Sequence, residues 1–230
     1  MAKLIWLACL FMFFASCNQN PDCQNQDSTT GKAATNPTTA ACPIDPEPET
    51  PDLEPEPDLG ELPNEALIFE TKADLYNFEV ADEDKVHKAF EIIKKVVGSK
   101  EFRSRVINFT YQGKKQFVDN KGMSNAEIYQ AVLDGREDLR PEVDHEMDLE
   151  LELYYSWRST VGYTTPGALR IYMNTKYFYP YTPAQVAGNV FHEWTHKLGF
   201  DHDANYSVAR DSSVPYALGY LMEELGKQYE

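Results

Sequence analysis

His192-Glu193-Trp194-Thr195-His196-Lys197-Leu198-Gly199-Phe200-Asp201-His202 is the stretch of this 230-residue chain whose reading decides the most. Just upstream, Thr182-Pro183-Ala184-Gln185 has the form of a capping box with proline at the first helical position, so a helix is expected from Pro183. Residues four apart on a helix lie one above the other, and His192 and His196 therefore present two imidazoles to one point. Glu193 is one step on from the first histidine, within reach of a water on an ion held there without ligating the ion itself. Gly199 falls where the helix must stop and the chain must turn through a left-handed conformation that glycine adopts cheaply. That turn carries the chain back so that His202 completes a set of three. Three histidines suit Zn2+, and three protein ligands with a fourth position open make the catalytic rather than the structural arrangement.

Coincidence is a poor explanation of this pattern. A bare H-E-x-x-H arises by chance in somewhat under about 1% of chains this long, and fixing the glycine and third histidine lowers that roughly a thousandfold. The spacing resembles the extended motif H-E-x-x-H-x-x-G-x-x-H of the metzincin peptidases, with every defined position matched, and Asp203 after the third histidine resembles the adamalysin-like branch. The resemblance implies a zincin-type α+β fold with a small mixed sheet, an active-site helix and a C-terminal helix. It also implies peptide-bond hydrolysis by zinc-activated water, with His192, His196 and His202 on the metal and Glu193 as general base and acid. A second family mark is a tight turn of the form S-x-M-x-Y. The nearest match is Ser212-Ser213-Val214-Pro215-Tyr216, with Val214 where methionine would stand.

Two further roles come with the resemblance, each beside a plainer reading. Tyr216 matches the tyrosine that steadies the oxyanion or caps the metal in some metzincins; otherwise it is a buried tyrosine closing the C-terminal helix on the core. The strand before the active helix would be the sheet edge that pairs with an extended peptide, and Leu169, Ile171 and Met173 are its positional match. The plainer reading is an ordinary strand paired on both sides. For the whole chain, the rivals are a catalytically silent zinc-binding surface lipoprotein that grips peptides or cell-wall partners, and an amidase for a non-protein substrate. Glu193 speaks against the first, because a binding module has no need of a base there.

Working outward, the chain begins with Lys3, an apolar run at residues 4–14 and then Phe14-Ala15-Ser16-Cys17. The run is shorter than the roughly 20 apolar residues a spanning helix needs. Small residues before a cysteine resemble a bacterial lipobox, implying a signal peptide at 1–16 and a lipid on Cys17; the alternative is a plain secretory signal with an incidental cysteine. Asn18 points to an outer membrane or cell surface. Residues 17–63 are expected to be a linker, since 43–63 hold eight acids, no base and closely spaced prolines. Cys23 and Cys42 fall in it and are free to pair in an exported protein. The catalytic domain is assigned to residues 64–230, a monomer with 19 bases against 27 acids. The net charge of -16, with no Lys/Arg cluster, argues against a nucleic-acid partner.

Within the domain, Val86, Ala89, Phe90, Ile93, Val96 and Val97 recur at helical spacing between a cap at Asp82 and a stop at Gly98. Residues 105–111 read as a strand on their β formers. Ser124 and Glu127 form a capping box for a helix through Leu133, ended by Gly135. Residues 148–154 alternate strictly, as a half-buried strand does, and 169–174 alternate again. A last helix is expected over 217–229. This order is α+β. The aromatic run Tyr177, Phe178, Tyr179 and Tyr181 is either core or a pocket wall. His87 and His145 read as surface residues, and Asp144, Glu146 and Asp148 as a solvated acidic loop or a calcium site.

Overall fold

The strand β2 (Glu146–Tyr154) sorts its side chains completely: Met147, Leu149, Leu151 and Leu153 are buried on one face while its acids stand on the other. In this computed structural model, which describes residues 69–230, β2 is central. It pairs in parallel with β1 (Glu70–Tyr76) on one side and β4 (Arg170–Asn174) on the other. A short β3 (Gly162–Thr164) runs antiparallel to β4, giving the order β1-β2-β4-β3. Parallel neighbours need a long crossover. Between β1 and β2 that crossover holds α1 (Val80–Val97), α2 (Lys100–Ile107) and α3 (Asn125–Asp134). After β4 come a single-turn α4 (Thr175–Phe178), α5 (Pro183–Lys197), a single-turn α6 (Val208–Asp211), α7 (Val214–Gly226) and a 3-10 turn (Lys227–Tyr229). The described residues thus form an α+β fold with a small mixed four-stranded sheet and seven α-helices.

The acids of β2 are matched by cations. Lys72 pairs with Glu146, Arg140 with Asp148 at 2.9 Å, and Arg170 reaches Glu150 at 3.3 Å and Glu152 at 2.7 Å. Partly exposed pairs contribute only about 0–1 kcal/mol each. Each fully buried Leu or Met on the opposite face contributes about 1.5–3 kcal/mol. The apolar face therefore holds the sheet against α1 and α5, and the charged face sets its solubility.

The segment 105–111 is a correction. It is not a strand: Ser99 caps α2 by accepting the Phe102 N–H at 3.1 Å, and the helix runs through Ile107. Phe102, Val106 and Ile107 fall on one helical face and are all buried. Burying three such side chains contributes on the order of 5 kcal/mol, whereas β-branched residues lose only some tenths of a kcal/mol each in a helix. The larger effect wins. Asn125 then satisfies the helix end, its amide donating to the carbonyls of Ile107 at 3.1 Å and Phe109 at 2.8 Å.

Other boundaries shift less. Glu79, not Asp82, is the cap residue of α1, and the Asp82 carboxylate accepts the Glu79 N–H at 3.4 Å. The last helix starts at Val214 rather than 217 and gives way at Lys227 to the 3-10 turn. β4 is an interior strand, hydrogen-bonded to β2 and β3, so Leu169, Ile171 and Met173 do not form the free edge. Ile171 and Met173 face the core, at 0% and 2% exposure. The edge next to α5 is β3, too short for alternation to reveal it. The signal peptide at 1–16, Cys17 with its lipid, the linker at 17–63 and the Cys23–Cys42 pairing lie outside the described residues. Among those described, no helix is long and apolar enough to cross a membrane.

Candidate metal centre

α5 is built to hold its place. Thr182 and Gln185 cap it reciprocally, with Gln185 Oε1 accepting the Thr182 N–H at 3.1 Å. Val186, Ala187, Val190, Phe191 and Trp194 bury the face turned to the core. The Trp194 indole N–H, inside that core, donates to Glu137 at 2.7 Å, and the same carboxylate oxygen accepts the Asp148 N–H of β2 at 3.1 Å. One buried carboxylate therefore ties the middle of the helix to the central strand. Burial raises the Glu137 carboxyl above the usual range, and its second oxygen has no hydrogen-bond partner among the described residues.

The opposite face of α5 carries His192 and His196, with ring centroids 5.3 Å apart. The helix then ends in a Schellman motif, Gly199 N–H to the His196 carbonyl and Phe200 N–H to the Thr195 carbonyl, both at 3.1 Å. Gly199 has φ +87°, and a Cβ there would stand 3.0 Å from Lys121 Nζ and 3.2 Å from the Asp138 carboxylate. The left-handed backbone is what favours glycine there, since the tips of Lys121 and Asp138 can give way. The reversal sets His202 5.2 Å from His192 and 5.0 Å from His196 by ring centroids. One ligand nitrogen of each lies within 4.8 Å of the others.

The remaining ring nitrogens are also accounted for. His196 Nδ1 bonds the Phe200 carbonyl at 2.7 Å, His202 Nδ1 bonds the Asp203 carbonyl at 2.9 Å, and His192 bonds the Pro215 carbonyl. A carbonyl only accepts, so each of these nitrogens carries a proton, and it is the other ring nitrogen that is left to face an ion. Burial, then the neighbouring histidines, pushes His192 down to about 3, and burial lowers His196 as well. These rings are neutral at pH 7, as metal ligation requires. The donor set fits Zn2+, with His192, His196 and His202 as the residues that would hold it.

Glu193 lies on the same helix and is 5% exposed. Burial pushes its carboxyl up to about 8, opposed by the nearby Lys197 and by the Thr164 N–H that it accepts from β3. Lys197, one turn on, is buried too; its ammonium donates to Thr164 Oγ1 and to the carbonyl of Ala168. Edge strand, carboxylate and ammonium meet at Thr164. Tyr216, on the first turn of α7, packs its ring 4.5 Å from His192 and 4.6 Å from His202. Burial raises its hydroxyl above the ordinary value, leaving it a donor at neutral pH. The Arg210 guanidinium lies 4.3 Å from the Tyr216 ring and 4.0 Å from that of Tyr206, and holds Asp211 at 2.6 Å. Val214 is fully buried as the first residue of α7.

α7 reaches this position because two glycines let it. A Cβ on Gly219 would stand 3.0 Å from the His192 Cβ, and one on Gly188 would stand 2.8 Å from the Gly219 carbonyl. The site opens into a cleft of about 890 Å³, lined by Leu169 and Tyr181 among others. Phe178, by contrast, is core and Tyr179 is exposed. All four motif residues and Tyr216 are brought together, whereas Ile171 and Met173 lie behind the cleft wall. Sequence reading missed Glu137, Thr164, Lys197 and Arg210. Only Lys197 had a signal, as a charge one turn after Glu193 on a helix already located. The chain matches no protein-family model, and no curated protein is significantly similar to it.

Proposed function

We propose that the protein is a zinc-dependent endopeptidase of metzincin type, exported and held at a bacterial membrane by a lipid on Cys17. The observation that carries the activity is the convergence of three imidazoles, each oriented by a backbone carbonyl, beside the buried carboxyl of Glu193. Zinc held by His192, His196 and His202 would supply a Lewis acid that makes a nearby water easier to deprotonate. Glu193 takes the proton from that water and later delivers it to the departing amine. The Tyr216 hydroxyl donates to the oxygen of the carbonyl under attack. The peptide lies along β3, the outer strand, rather than along β4, so that its backbone adds a strand to the sheet. The metzincin reading is supported by the motif and by a mixed sheet whose antiparallel outer strand runs beside the motif helix. The lipid anchor rests on the sequence around Cys17 alone.

The test pairs metal analysis with hydrolysis. The full chain binds one zinc and digests a broad peptide library, and Glu193→Ala keeps the zinc while losing roughly 10²–10⁴-fold in turnover. Zinc-loaded protein that cleaves no peptide but does cleave cell-wall fragments would make it an amidase. One that cleaves neither would make it a binding protein.

A further inference from the structure

One end of the cleft carries chemistry that the hydrolytic site leaves unused. Gly188 lies one helical turn before His192, and a Cβ on it would stand 2.9 Å from the Glu223 Cβ across the crossing of α5 and α7. Glu223 is therefore offset from the metal ligands by about one turn, roughly 5–6 Å along α5. Its side chain is 31% exposed and lines the cleft together with Tyr181 and Tyr220. The charge of Glu223 adds to burial in holding the Tyr181 hydroxyl above its ordinary value. At that crossing Gly188 and Gly219 let α5 and α7 pack closely, which brings the Glu223 Cβ up beside the helix that carries His192.

A partly exposed carboxylate in a cleft that also carries phenol rings is a receptor for a cation. Lys197 and Arg210 are the only Lys or Arg lining the cleft among the described residues, and neither is available to Glu223. Lys197 is committed to the β3–β4 turn and Arg210 to Asp211 between two rings. Lys227 does pair with Glu223 at 3.2 Å, but as an exposed i,i+4 partner it holds weakly and can swing into solvent.

We propose that Glu223 is a specificity-determining residue, receiving the Lys or Arg side chain of a substrate residue close to the scissile bond. This rests on the peptidase reading and deepens it: the substrate class is a basic peptide. The experiment walks Lys, Arg, Leu or Glu through the positions on either side of the cleaved bond in fluorogenic peptides, using the full, zinc-loaded chain. At one position Lys or Arg exceeds Leu by about tenfold or more in kcat/KM. Glu223→Gln brings that ratio to within about twofold of one, and Lys227→Ala raises it. A chain that cleaves Leu peptides as well as Lys peptides at every position overturns the inference and leaves the peptidase reading standing. So does a preference that survives Glu223→Gln. If no peptide is cleaved, the peptidase reading falls, and fluorescence anisotropy with the same peptides decides the cation site. Tighter binding of Lys than Leu peptides, lost in Glu223→Gln, supports it; equal binding overturns it.

Discussion

Among the described residues two trios of potential metal ligands are gathered equally closely, yet they are built on opposite principles. His192, His196 and His202 bring their ligand nitrogens within 4.8 Å of one another, and Asp144, Glu146 and Asp148 do the same with carboxylate oxygens. The histidines are each turned by a bond from one ring nitrogen to a backbone carbonyl, which leaves the other nitrogen for an ion. The acids already have their cations: Lys72 on Glu146 and Arg140 on Asp148, while Asp144 accepts the Glu146 N–H at 3.0 Å. Calcium asks for six to eight oxygens. A trio of acids spent on other partners is a solvated sheet face. Proximity alone does not make a site; what the second atom of each ligand is doing does.

The sharpest way to break this contrast is to remove one member from each trio. His196→Ala is expected to weaken zinc binding by about a thousandfold or more, because two ligands of a three-ligand set remain. Asp148→Asn is expected to leave it unchanged. Isothermal titration of both variants with zinc checks the pair, and equal losses would mean that the histidines are not the site.

A smaller effect distinguishes the interiors of the two regions. Glu193 has a folded-state pKa of about 8 against an ordinary 4.5, so the folded state binds its proton more tightly. In the metal-free protein the stability this contributes is complete below about pH 4.5 and is lost as the pH climbs through 8. Glu193→Gln is therefore expected to raise the metal-free melting temperature at pH 8–9, by an amount equivalent to a few kcal/mol at most, and to change it little near pH 4.5. His192 acts with the opposite sign, its stability being lost as pH falls from 6.5 toward 3. Because His192 is present in both proteins, its effect cancels in the comparison. Thermal melts across pH settle the matter.

The smallest of the three probes the support beneath the histidines. Gly219→Ala puts a methyl 3.0 Å from the His192 Cβ and 3.1 Å from the Gly188 carbonyl. Overpacking of that kind costs about 1–3 kcal/mol. Displacing His192 is expected to weaken zinc binding about tenfold, whereas the acidic trio has no such support to disturb. Melting and zinc titration report the two parts separately.

How much of this was legible in advance follows from how local each feature is. The capping box at Thr182, the register of His192 and His196, and the left-handed Gly199 are fixed by neighbours within a few residues, and they stand as read. The same holds for β2 and for α3, capped by Ser124 and ended at Gly135. Residues 105–111 misled because the β-branched Val106 and Ile107 are governed by burial against distant helices. The position of β4 inside the sheet depends on β3, whose three residues carry no pattern. Glu137 and Arg210 were invisible for a related reason. Their partners Trp194 and Tyr216 lie on elements that meet them only in the folded chain.

The coordination of one ion is the central point, and X-ray absorption at the zinc edge on the full-length protein tests it. One zinc per chain, surrounded by three imidazoles and one oxygen, is the expected result, with an imidazole lost in His202→Ala. A zinc shell of carboxylates or sulfur, or protein that retains no tightly bound metal after reconstitution, would contradict it.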